Sequence, residues 1–304
     1  MSAFRVDRRR LLATAGLAGA TLAARPVLAS EPAGGAGWSH EGFVDRAGGR
    51  MHWASIGEGP VLVVMPKLGG WIADWRDVAL QLANRYRVVA IDPPGHGGSV
   101  FPGPVPHVQT LPESAAMVRA MLAALGIERY SLAGNSLGGC VAAIMAALFP
   151  DEVENLALVS VAVSERMNAA DLAAYDARDG GYDTGGMPLP RPVEEMAARF
   201  GATPQIAVEM NASRAAAGLW IRPSERGVFT CGIAGYLPRI ASRTLLVYGT
   251  ANAGAYRGYR DTALRSLPRA SAVDVPGAGA FLHQQKPEET AVLLDRFLSG
   301  SPIG

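Results

Sequence analysis

Apolar positions along the chain follow two alternating rhythms. Val61 to Met65 is an unbroken apolar run, as expected of a strand buried on both faces. Arg87 to Ile91, Tyr130 to Ala133, Leu156 to Val161, Thr244 to Tyr248 and Ser271 to Val275 read as further strands, and Phe43-Val44 and Met51 to Ser55 as two opening ones around the Gly48-Gly49 turn. Between them the spacing turns helical. A helix is predicted from about Asp74 to Asn84; another carries Val118, Met121, Leu122 and Leu125 and stops at Gly126. A third carries Leu137, Val141, Ile144, Met145 and Leu148 and closes at Pro150, and two more cover Tyr256 to Leu267 and Pro287 to Leu298. Such alternation predicts an α/β fold, a mostly parallel twisted sheet with helices on both faces. The rhythm breaks over 164–240, which is rich in Ala, Gly, Pro, Arg and Met and has no strong strand signal. That stretch is expected to be an inserted helical cap on a core made of 41–163 and 241–300.

Composition is that of an ordinary globular chain: 304 residues, 49% hydrophobic and 18% charged. The net charge of +1 hides an uneven start. Arg5, Arg8, Arg9, Arg10 and Arg25 precede residue 30 against one acid, Asp7; without them 23 basic and 26 acidic residues remain. That balance leaves no nucleic-acid footprint. Residues 1–29 join a twin arginine to a mild Ala/Gly-rich apolar stretch and a small-residue site, Val27-Leu28-Ala29. They resemble a cleaved twin-arginine (Tat) export signal, which implies a periplasmic or secreted protein. The apolar run is too short to anchor the chain in a membrane, and 30–40 reads as a linker. Cys140 and Cys231 are read as free thiols. No His/Cys cluster has metal spacing and no glycine-rich loop completes a dinucleotide or phosphate fingerprint, so no cofactor is implied. The expected partner is a small-molecule ligand or substrate; the oligomeric state stays open.

Gly134-Asn135-Ser136-Leu137-Gly138-Gly139 lies between a predicted strand and a predicted helix. A sharp strand-to-helix turn needs small residues around a strained serine, and it presents the hydroxyl at the end of the sheet. Three further segments stand before and after it along the chain: Pro60 to Gly70, Asp92-Pro93-Pro94-Gly95-His96-Gly97-Gly98-Ser99, and Val275 to Glu289. With these four segments the chain resembles the α/β-hydrolase superfamily, most of all its esterase and carbon–carbon bond hydrolase branch. The resemblance covers about 40–299 and makes Ser136 the nucleophile position.

The remaining machinery departs from the family's pattern. Serine attack needs a base to take the hydroxyl proton and a third group to orient that base. Where the family reads Gly-His-Phe-Leu-His, this chain reads Gly279-Ala280-Phe281-Leu282-His283, so Ala280 stands at the base position. The acid position, in Gly249-Thr250-Ala251-Asn252, is held by Asn252. His283 matches an accessory histidine and is expected to point elsewhere; Glu165 follows the strand where some relatives keep a displaced acid. The oxyanion loop reads Pro66-Lys67-Leu68-Gly69-Gly70. The N–H groups of Lys67, Leu68 and Leu137 are the candidates for an oxyanion hole, and the Lys67 ammonium is a candidate anion binder or, if desolvated, a base. Trp71, Trp75, Tyr175, Tyr182, Trp220 and Tyr236 are candidate pocket or cap aromatics.

Two classes of function follow. One is an enzyme acting on a small apolar or ester-like molecule through Ser136 with non-standard machinery, a lyase or cyclase included. The other is a pseudo-hydrolase that binds a ligand or serves as an accessory protein.

Overall fold

The predicted strands assemble into one eight-stranded sheet. The structure is a computed structural model that describes residues 37–303 other than 47, 179 and 252, and it leaves out the side chains of 253–257. The signal-like segment 1–29, most of the linker, and Asn252 lie outside the described residues. The strands are β1 (His40–Arg46), β2 (Gly49–Ile56), β3 (Val61–Met65), β4 (Arg87–Ile91), β5 (Tyr130–Asn135), β6 (Val153–Val159), β7 (Arg243–Gly249) and β8 (Ala270–Val275). Their spatial order is β1-β2-β4-β3-β5-β6-β7-β8. β1 and β2 enter antiparallel, and every pairing from β4 to β8 is parallel.

The helices are α1 (Arg76–Leu82), α2 (Leu111–Ala124), α3 (Leu137–Leu148), α4 (Ala169–Arg178), α5 (Val193–Phe200), α6 (Pro204–Ala217), α7 (Ile221–Cys231), α8 (Ala253–Ser266), α9 (Leu282–Gln285) and α10 (Pro287–Leu298). The apolar runs of the strands feed two cores, one on each face of the sheet. Val63 and Met65 of β3 pack with α2 and α3 residues, whereas Leu62 and Val64 pack with α1 and α10 residues. Leu156 and Leu158 alternate with Ala157 and Val159 in the same way along β6. Side chains alternate across a strand, so only an all-apolar run can serve two buried faces. Each fully buried large aliphatic side chain contributes about 1.5–3 kcal/mol.

Some boundaries differ from the sequence pattern for local reasons. The first helix opens instead as a 3₁₀ turn, Ile72–Trp75, which turns Asp74 inward, and α1 ends at Leu82. β6 stops at Val159 because Ser160 takes a positive φ of 47°. Residues 164–240 supply α4 to α7 and no strand of the sheet. They dock on the core through the loop after β8: the Ala280 N–H donates to the Phe200 carbonyl at 2.7 Å. Gly279 is needed there, since a Cβ would collide with that same carbonyl. Cys140 and Cys231 are both free thiols. Among the described residues no helix is long and apolar enough to cross a membrane, and no cluster of three metal-ligating side chains occurs.

Candidate active site

The chain leaves β5 at Asn135, turns at Ser136 and enters α3 at Leu137. Ser136 has φ 51° and ψ −115°, a conformation that costs roughly 1–3 kcal/mol and persists only where the surroundings enforce it. Here the enforcement is visible. The Ser136 N–H donates to Val159 O at 3.2 Å, Gly138 N–H donates to Pro66 O at 3.0 Å, and Cys140 N–H donates to Ser136 O at 2.9 Å. A Cβ at Gly134 would strike the Gly138 backbone, one at Gly138 the Met65 backbone, and one at Gly139 the Val161 side chain. The small flanking residues are therefore a packing requirement of the turn. Ser136 and Ser160, which follow the paired strands β5 and β6, are the two non-glycine residues of positive φ among those described.

Ser136 opens onto a cavity of about 280 Å³. Lys67, Leu68, Leu137, Ala162 and Phe281 of the core form one wall. Residues 164–240 supply Arg191, Arg199, Phe200, Met210, Arg214, Glu225, Val228 and Phe229 to the other, with Tyr259 completing it. The proposed oxyanion donors Lys67, Leu68 and Leu137 are thus on the same wall as the serine. Leu137 is the first residue of α3, and its N–H belongs to the set that no intrahelical carbonyl satisfies.

The candidate bases are placed differently. Lys67 is buried, with 3% of its surface exposed, and its Nζ donates to Asp74 Oδ2 at 2.5 Å and Gln284 Oε1 at 3.1 Å. Both contacts tie the Lys67 amine to neighbours outside the cavity, so it is engaged by Asp74 and Gln284 and is not free to serve Ser136 as a base. Burial pushes the Asp74 carboxyl above its ordinary range, with the Lys67 charge working against that rise. His283 is fully buried and stacks on Trp75 at 4.5 Å between ring centroids. Neither of its ring nitrogens has a hydrogen-bond partner. Burial, and secondarily the charge of Lys67, holds its pKa well below the usual histidine value. All five histidines are described, and none lines the cavity.

Ala280, at the base position, is 2% exposed and packs with Phe281, Met196, Ile206 and Met210. Asn252 lies outside the described residues. Glu165 is exposed and does not line the cavity. None of the six candidate aromatics lines the cavity either; Tyr175 and Tyr182 instead donate from their hydroxyls to Glu225, each at 3.0 Å. The residues that sequence reasoning missed are Arg191, Arg199, Arg214, Glu225 and Tyr259. The first four lie in residues 164–240, a stretch read from the sequence as helical without separate helices or inward faces assigned.

The family described as alpha/beta hydrolase fold matches residues 60–183. The chain is 37% identical over 113 residues to an uncharacterised protein of Mycobacterium tuberculosis, covering 37% of this chain and 32% of that one. It is 38% identical over 116 residues to the pimeloyl-[acyl-carrier protein] methyl ester esterase of Aeromonas hydrophila, covering 38% and 42% respectively. The match therefore spans about a third of the length of the first curated relatives. Among solved structures, a bacterial membrane phospholipase A superposes with a TM-score of 0.67 at 26% identity, over 87% of this chain and 86% of that one. The fold is the α/β-hydrolase fold.

Proposed function

We propose that this α/β-hydrolase-fold chain takes a small apolar or ester-like molecule into the Ser136 cavity and acts on it through the serine without a histidine base. The observation that carries this reading is the enforced positive-φ conformation of Ser136 on the wall of a cavity. Backbone strain of this kind clusters at reactive positions. The Leu137 N–H and the fixed Lys67 cation favour negative charge developing beside the serine oxygen. With no imidazole on the cavity wall, turnover rests on that stabilisation and on binding, which alone leave about 10³–10⁴-fold acceleration over water in serine hydrolases. The relatives support the reaction class, since the Aeromonas protein is named an ester esterase. The chemistry of the site takes Ala280 and Asn252 as replaced base and acid positions, and the reading of residues 1–29 as an export signal places the mature protein outside the cytoplasm.

A second reading, capture of the ligand without turnover, is favoured by the absence of any histidine from the cavity wall. Hydrolysis of short p-nitrophenyl esters separates the two. The proposal expects a slow rate above buffer that vanishes in Ser136→Ala and persists in His283→Phe. Equal rates for wild type and Ser136→Ala would assign the cavity to binding alone.

A further inference from the structure

The cavity wall is strongly cationic in a way the chain as a whole is not. Arg191, Arg199 and Arg214 line it; the one carboxylate among the lining residues is Glu225, whose oxygens are engaged by two tyrosine hydroxyls, and Glu195, outside the lining, sits 3.6 Å from Arg191 Nη1. Lys67 adds a further cation whose charge is answered by Asp74, a residue that does not itself line the cavity. Concave walls of one sign focus the field and raise the local concentration of oppositely charged ligand. Guanidinium groups also match the two oxygens of a carboxylate in one plane.

The arginines are placed by the fold. Asn211 of α6 clamps the Arg191 backbone, donating to its carbonyl at 2.9 Å and accepting from its N–H at 3.0 Å. The Arg191 side chain is 13% exposed. Arg214 is 6% exposed, and its stem lies so close to Gly69 that a Cβ there would collide with it. A second cavity, of about 340 Å³, lies against the cap and shares Arg191 and Arg199 with the first. Phe200, Met210 and Phe229 provide apolar surface beside these cations.

We infer that the ligand of the Ser136 cavity is a small organic carboxylate, its anionic head held by Arg191, Arg199 and Arg214 of the cap and its apolar body directed toward Ser136. This deepens the reading of the cavity as the ligand site and rests on it. Glu225 on the same wall opposes a second negative charge, so a monoanion fits better than a phosphate dianion.

Calorimetric titration of the full chain with hexanoate, hexanamide and hexyl phosphate tests the inference. Hexanoate is expected to bind at least tenfold more tightly than hexanamide, a preference lost in Arg191→Gln or Arg199→Gln and kept in Arg129→Gln, a surface arginine away from the cavity. Both cavity variants alter exposed or partly exposed side chains, so they test the site without depending on the buried Arg214. Equal affinity for hexanoate and hexanamide would overturn the carboxylate site, and tighter binding of hexyl phosphate would overturn the monoanion assignment. The readout is binding, so discrimination by a chain that proves unreactive at Ser136 still supports the anion site while counting against the serine chemistry.

Discussion

Asn135 reaches from the residue before the strained serine to Ala280: its Nδ2 donates to the Ala280 carbonyl at 3.0 Å and to the Val159 carbonyl at 2.9 Å. One buried amide therefore ties the elbow, the end of β6 and the loop after β8 together. The link holds the backbone of the loop expected to carry the base against the elbow.

Removing that link should loosen the site. Asn135→Ala leaves two carbonyls without this donor in a fully buried position, a loss of about 1–3 kcal/mol. Urea unfolding should report that decrease, and esterase activity should fall with it.

Restoring an imidazole at the loop tests the geometry directly. Ala280→His, alone or with Asn252→Asp, introduces a larger side chain into a packed position and should cost about 1–3 kcal/mol of stability. Hydrolysis of p-nitrophenyl acetate should nonetheless rise above wild type. A destabilised variant with no gain in rate would mean that the residue at 280 does not face the serine.

The buried ion pair predicts a pH-dependent defect. Lys67→Met leaves Asp74 buried and uncompensated, a change of about 3–5 kcal/mol at neutral pH. Burial raises the Asp74 pKa in the folded state, so the native chain takes up that proton more readily than the unfolded one. The deficit of the variant should therefore shrink as pH falls from about 7 toward about 4.5. Thermal melts across that range would show it, and Lys67→Met with Asp74→Leu should recover part of the loss at pH 7.

His283 acts in the opposite sense. Its folded pKa is depressed by burial, so its neutral form contributes stability above the ordinary histidine value of about 6.5, and that contribution is lost as pH falls below it. His283→Phe keeps a ring on Trp75 and removes the titration. Relative to wild type, the variant should gain stability as pH drops from about 7 to about 5. A constant difference over that range would contradict the burial seen here.

The sheet was readable because β3 is an unbroken apolar run and β6 and β7 carry apolar stretches, Leu156–Val159 and Leu245–Tyr248, as burial on two faces demands. The elbow was readable because Gly134, Gly138 and Gly139 answer a local steric demand. The cap arginines were not. Residues 164–240 hold eight arginines and nine acids, so the segment has no net sign; only the packing of α5 and α6 turns three of the arginines toward one cavity. The pairing of Lys67 with Asp74 was hidden for a similar reason: the expected helix start placed Asp74 at a surface N-terminus, and the 3₁₀ turn carries it inside. Glu225 gave no signal because its role depends on Tyr175 and Tyr182, which lie 50 and 43 residues away.

The central claim is that Ser136 reacts although no histidine serves it. Its most direct test is the intact mass of the purified chain after incubation with an alkyl fluorophosphonate. The predicted result is slow, stoichiometric addition of one phosphonyl group, mapped to Ser136, absent in Ser136→Ala and unchanged in His283→Phe. Wild-type protein that stays unmodified at concentrations that saturate a control serine esterase would contradict it.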